Sequence, residues 1–147
     1  MAHVRKQIRD AVVTLLKANV SLVSRRVFAS RVYALTTPDL PAVTVYTGSE
    51  SSSLMTIGAR TMSRELSLQV DLYVRFVDTF DDKVDAIAVQ VEEAIANDVN
   101  IGGLAKSAVL TSTEIEYSGE AEQPIGIARL TFLVQYITTI NDVEQAR

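Results

Sequence analysis

The stretch "RELSLQVDLYVRF" constrains this chain more than any other part of it. Leu66, Leu68, Val70, Leu72, Val74 and Phe76 occupy every even position, and Glu65, Gln69, Asp71 and Arg75 stand between them. Successive side chains of a strand point to opposite faces. The alternation therefore predicts a strand with one face on a core and the other toward water or a partner. Such a strand needs neighbours along both edges and an apolar layer over one face.

The neighbours are visible on either side. Val27 to Tyr33 reads as a short strand, and Ala42 to Tyr46 as another, with Pro38 and Pro41 punctuating between them. Ala108 to Tyr117 and Ile127 to Thr138 supply two more, the last alternating through Ala128, Leu130, Phe132, Val134 and Tyr136. The covering layer comes from two helical periods. Val4, Ile8, Ala11, Val12, Leu15 and Leu16 predict an amphipathic helix over residues 3–17, whose polar face carries Arg5, Lys6 and Arg9. Asn19 suits its end, because Asn tolerates the left-handed conformation. Val84, Ile87, Ala88, Val91, Ala94 and Ile95 predict a second helix. Thr79 and Asp82 have capping-box spacing there, and Asp81, Asp82 and Asp85 suit the positive end of its dipole. The order α-β-β-β-α-β-β predicts an α+β fold, a mostly antiparallel sheet of about five strands with two helices packed on one face. With 147 residues and 48% hydrophobic content, one domain over 1–147 is expected.

Between two of these strands lies "YTGSESSSLMTIGART". Its Ser-rich composition reads as a long loop over about 48–64, and connections beyond ~12–15 residues are usually functional or disordered. Leu54, Met55 and Ile57 are candidate anchors for a partner on it, with Arg60 and Arg64 as polar companions.

Chemistry is hard to place on this chain. With no Cys, thiolate catalysis and Cys-based zinc sites are excluded, and the single His3 at the N-terminus leaves no nucleophile–His centre to build. Asp78, Asp81, Asp82 and Asp85 lack the spacing and central Gly of a calcium loop. Glu114 and Glu116 share one strand face, which reads as solvated, and the glycines at 48, 58, 102 and 103 form neither a dinucleotide fingerprint nor a P-loop. The expectation is a protein without enzymatic activity, cofactor or metal. "MAHVRKQIRDAVV" has no apolar signal core and no apolar run reaches ~18 residues, so a soluble intracellular protein without a membrane partner is expected.

The net charge of −4 conceals an asymmetry. Residues 1–35 hold seven Lys and Arg against Asp10, and residues 81–125 hold ten Asp and Glu against Lys83 and Lys106. Either the two faces neutralise each other within one chain, or each meets its opposite on another subunit. In the second case Arg5, Arg9, Arg25 or Arg26 faces Glu92, Glu93, Glu116 or Glu120 of a neighbour. The basic segment has no interleaved aromatics and no reader motif, so sequence-specific nucleic-acid binding is not expected.

Taken together, the amphipathic first helix, "LPAVTVYTGSE", "RELSLQVDLYV", "DDKVDAIAVQVEEAI" and "EAEQPIGIARLTFLVQY" resemble the tail terminator (tail completion) proteins of long-tailed bacteriophages, the group of lambda's minor tail protein U. The resemblance spans nearly the whole chain. It implies a structural virion protein that forms a sixfold ring on the last ring of tail-tube subunits, stops polymerisation and offers a surface to the neck or head-completion protein. Its setting would be the head-proximal end of the tail, after assembly in a bacterial cytoplasm. A neck or head–tail connector of the same virion is the nearest alternative, and a small α+β ligand-binding domain is one from another class.

Overall fold

The computed structural model describes residues 2–29, 41–58, 60–75, 78–117 and 125–147. The two helical periods form α1 (Val4–Asn19) and α2 (Phe80–Ala96). The strands are β1 (Val27–Phe28), β2 (Ala42–Thr56), β3 (Thr61–Arg75), β4 (Ser107–Tyr117) and β5 (Ile125–Thr139). They form one sheet in the order β1-β2-β3-β5-β4. β1 runs parallel to β2, and the other three pairings are antiparallel. The expected α+β class and mostly antiparallel sheet are what the structure shows.

The alternation in β3 does what it predicts. Leu66, Leu68, Val70, Leu72 and Val74 are buried in one cluster with Ile8, Val12 and Leu16 of α1 and Val84, Ile87 and Val91 of α2. The helices also contact each other and the sheet. Full burial of such a side chain contributes about 1.5–3 kcal/mol, so this shared layer holds the helices to the sheet. Phe80 enters it at the start of β5, where its ring lies over Gly126 and leaves no room for a Cβ.

Several boundaries differ from the sequence reading. The long loop expected over 48–64 is a hairpin: β2 continues past Tyr46 to Thr56, β3 begins at Thr61, and only a turn separates them. Ser is a middling strand former, but pairing along β3, itself backed by β5 up to Thr61↔Thr139, overrides local preference. Of the strand expected from Val27 to Tyr33, Val27–Phe28 is formed, and residues 30–40 lie outside the described set. The acidic segment between β4 and β5 also lies outside it. Thr79 stands at the N-cap of α2 without a side-chain capping bond, so the expected capping box is not made. Helix α1 ends without a left-handed Asn; Asn19 Nδ2 donates to Leu15 O (2.8 Å), and Val20 N closes onto Leu16 O (2.8 Å).

A bulge at Gly48–Ser49 decides how the hairpin sits. Thr47 pairs with Leu68, but Glu50 pairs with Leu66, so two residues of β2 face one of β3. Without the extra residue Glu50 would lie opposite Glu65, on the face away from the helices. With it, Glu50 turns to the helix face and joins a buried cluster. Its carboxylate accepts from Arg5 Nη1 of α1 (2.7 Å), Arg64 Nη1 of β3 (3.3 Å) and the Tyr136 hydroxyl of β5. Arg64 Nε also donates to Thr138 Oγ1 (3.0 Å). The Glu50 and Arg64 side chains are each only 11% exposed. Burial, then the bond to Glu50, pushes the Tyr136 phenol well above its ordinary range.

The opposite face carries its own ion pair. Arg129 donates from Nε and Nη2 to the two carboxylate oxygens of Asp71 (3.0 and 3.2 Å), and Tyr46 donates its hydroxyl to Asp71 (3.0 Å). Burial, then the Asp71 carboxylate, pushes the Tyr46 phenol up to about 12.

Two outcomes are expected. Breaking a buried ion pair by removing one partner costs about 3–5 kcal/mol, so Glu50→Ala should lose about 3 kcal/mol in urea unfolding. Tyr136→Phe should lose less, about 1.5–3 kcal/mol for a bond to a charged acceptor. A loss under ~1 kcal/mol for Glu50→Ala would show that the pair does not anchor the hairpin. Tyr46 contributes to the alkaline limb beside Tyr136. Its folded phenol keeps the proton beyond the unfolded value of ~10, so its contribution is complete below pH ~10 and is lost as pH rises toward about 12. Tyr46→Phe should flatten the fall in melting temperature over that window, and an unchanged slope would contradict the assignment.

Candidate partner-binding surfaces

The hairpin end is the most exposed apolar feature near the predicted anchors. Leu54 and Met55 are half exposed, and Ile57 is 84% exposed. Every described residue from 51 to 58 is exposed. The turn is pinned rather than loose: Arg60 adopts a left-handed φ of 51°, and its carbonyl accepts from Ile140 N (2.8 Å). Thr56 and Thr61 share a hydroxyl–hydroxyl bond (2.9 Å) across the last pair. Three of the five predicted contact residues, Leu54, Met55 and Ile57, thus stand on one projecting end, and Arg60 is exposed beside them. Arg64 does not: it is turned inward to Glu50 and Thr138.

The predicted inter-subunit charges scatter. Arg5 is engaged by Glu50 of its own chain. Arg26 Nε donates to Pro41 O (2.9 Å). Arg9 is half-buried, with a buried Nε that has no hydrogen-bond partner. Arg25, Glu93 and Glu116 are exposed and Glu92 is half-buried, whereas Glu120 lies outside the described residues. Among the described residues no ion pair joins α1 to α2, although the helices touch. His3 caps α1, its Nδ1 accepting from Arg5 N (3.2 Å). Burial, then the Arg5 charge, lowers its pKa, which keeps the ring neutral and able to accept. The first turn is tied further by Val4 N to Val143 O (2.9 Å) and Gln7 Nε2 to Glu144 O (2.8 Å).

A cleft beside α2 is lined by Leu22, Pro41, Val74, Ala86 and Ile87 together with the charged Arg75, Asp82 and Lys83. Apolar surface predominates among its described residues, whereas a small-molecule site also needs a few convergent polar groups to orient its ligand. Glu114 and Glu116 lie on the outward face of β4 near Arg129, as a solvated pair would. Sequence reasoning missed both ionic clusters. Opposite charges within two alternating strands, Asp71 in "QVDLYV" and Arg129 in "GIARLTF", were a usable signal. The Glu50 cluster had none, because it depends on a bulge.

No curated protein matches the chain in sequence. A solved structure, the virion of the native gene transfer agent particle, contains a chain that matches with a TM-score of 0.59 and 13% identity, over 86% of this chain and 92% of that one. At that identity the likeness speaks for the fold. The family model for phage minor tail protein U matches residues 3–136, which takes in both helices and all five strands almost to the end of β5. The chain belongs to the phage minor tail protein U family: it is a structural, non-enzymatic protein of a phage-like virion tail, with the role of tail terminator.

Proposed function

We propose that this protein acts as a sixfold ring at the head-proximal end of the tail tube. There it covers the last ring of tube subunits, stops further addition and presents its other side to a neck or head-completion protein. Assembly takes place in the cytoplasm of the bacterial host. The observation that carries this reading is the projecting end of the β2–β3 hairpin. Leu54 on β2, Met55 at the irregularity beside it and Ile57 in the turn are held outward, where an isolated domain gains nothing from them. Burying Ile57 against a tube subunit approaches the value for a fully transferred side chain, about 1.5–3 kcal/mol; half-exposed Leu54 and Met55 contribute about half as much each, and a ring presents the same end once per subunit. A partly exposed apolar tip of this kind, rimmed by Ser and Thr, suits a surface covered only on assembly.

Charge sets the register around the ring. Arg9, Arg25 or Arg26 faces Glu92 or Glu93 of the next subunit, while Arg5 stays with Glu50. Exposed pairs contribute only ~0.2–1 kcal/mol each, so they orient contacts rather than hold them.

Two experiments test these statements. Met55→Asp and Ile57→Asp change exposed positions, so melting should move by no more than the ~0.5 kcal/mol usual for surface substitutions. Mixed with polymerising tail-tube protein, both variants should leave tubes uncapped in negative-stain images. Tubes capped as well as by the unmodified protein would show that the hairpin end does not touch the tube. Separately, Arg25→Glu and Glu93→Arg should each weaken ring formation alone and recover it when mixed. Normal assembly of both single variants would remove charge from the interface.

A further inference from the structure

The sheet has two unlike edges. On one side β4 is the last strand of the order, and residues 111–116 are exposed. On the other, among the described residues, β1 covers β2 only at Val43 and Thr44, and residues 50–56 run beyond it. Long strand edges template pairing with other chains, and proteins usually blunt them with Lys, Pro or a covering element. Neither segment, "SAVLTSTEIEY" nor "ESSSLMT", contains Lys or Pro. Irregularities fall between Leu110 and Ser112 and between Leu54 and Thr56, which leaves 112–117 and 50–54 as regular runs.

Their directions are matched. β2 is antiparallel to β3, β3 to β5 and β5 to β4, so β4 runs opposite to β2. If copies follow one another around an axis, β4 of one meets β2 of the next in antiparallel sense, the slightly stronger pairing. We infer that residues 112–115 of β4 pair with residues 50–53 of β2 in the adjacent copy, joining the sheets of successive subunits by main-chain hydrogen bonds. The occupant of each edge is a second copy of this chain. This rests on the ring reading above and names the surface that would build it.

The side chains agree with that pairing. Ile115, opposite Ala128, lies on the helix side of the sheet and is 49% exposed. Joining the edges sets it opposite Glu50 of the neighbour, which is on the helix side as well. Glu114 then lies opposite Ser51 on the other side, with Glu65 one strand further in. The geometry closes as well. Thr113 shares a row with Leu130 and Val70, and Ser52 shares one with Arg64. Pairing Thr113 with Ser52 staggers the sheet by about six residues of ~3.3 Å across four strands ~4.8 Å apart. That corresponds to a strand tilt of about 45°, at the upper end of the ~35–45° found in closed sheets. An even stagger also keeps each face on its own side.

The chain has no cysteine, so introduced thiols report only the intended contact. Subunits carrying Ser52→Cys are mixed with subunits carrying Thr113→Cys, Glu114→Cys or Ile115→Cys and oxidised under conditions where sedimentation shows rings. Disulfides need Cα atoms roughly 4.4–6.8 Å apart and Cβ atoms on one side. The expected result is strong cross-linking at 113 and several-fold less at 114, which points to the other face, and at 115, which lies two residues along the strand. Ile115→Glu, at an exposed position, sets a carboxylate opposite Glu50 of the neighbour and should abolish rings while melting unchanged. Rings that form without this cross-linking pattern, or that survive Ile115→Glu, overturn the edge pairing and leave the ring reading standing. If the unmodified protein forms no ring, with or without tail-tube protein, both readings fall.

Discussion

The placement of one carboxylate governs much of this molecule. Glu50 is nearly buried on the helix side of the sheet, and an ionised group there is tolerated only when paired and hydrogen-bonded. Its three donors come from α1, β3 and β5, so satisfying it fixes the hairpin root against three elements at once. Everything beyond residue 50 inherits its face and direction from that junction. The bulge at Gly48–Ser49 makes this possible. It separates Glu50 from the like charge of Glu65 and brings it to Arg5 and Arg64. Because side chains alternate with period two, a regular pairing there would have placed every arm residue on the other face.

Legibility in the sequence follows from the range of the forces involved. The alternation in β3 and β5 and the helical spacing of α1 and α2 are local and repeated, and those elements emerged at nearly their observed lengths. The arm was illegible for the opposite reason. Nothing within "SESSSLMT" favours a strand; its conformation comes from β3, held in turn by β5. The candidate site divides the same way. Leu54, Met55 and Ile57 were recognisable as apolar residues in polar company, and they are exposed. Arg64 was misplaced because its inward turn depends on Glu50, fourteen residues away in sequence and re-aimed by a bulge.

Among the described residues, the charge asymmetry of the sequence is not cancelled between the two helices. Side-by-side helices suggested mutual neutralisation within one chain, and α1 does touch α2. Yet the ion pairs among the described residues run from helix to sheet, within a helix, within the sheet or near the C-terminus, not between the helices. Arg25 and Glu93 remain at the surface with their charges uncompensated by one another. Long-range attraction between such surfaces falls off over a Debye length of ~8 Å at physiological ionic strength. Charge can therefore steer subunits into register, but it holds little once salt is present.

A built arm changes what association costs. A disordered loop would lose its conformational freedom on docking, about 1–2 kcal/mol of backbone entropy per residue ordered. Here the strands of the arm are already paired along β3, and the turn is pinned through Arg60 and Ile140, so most of that loss has been taken in folding. In the proposed contact the exposed Leu54, Met55 and Ile57 would then contribute their burial to binding with little offset, which is the general advantage of preorganisation. The same rigidity limits tolerance. A stiff hairpin cannot adjust to a partner of the wrong shape, so an arm anchored by the Glu50 cluster favours one docking geometry. For a protein that stops a polymer at its end, selectivity of that kind matters as much as affinity.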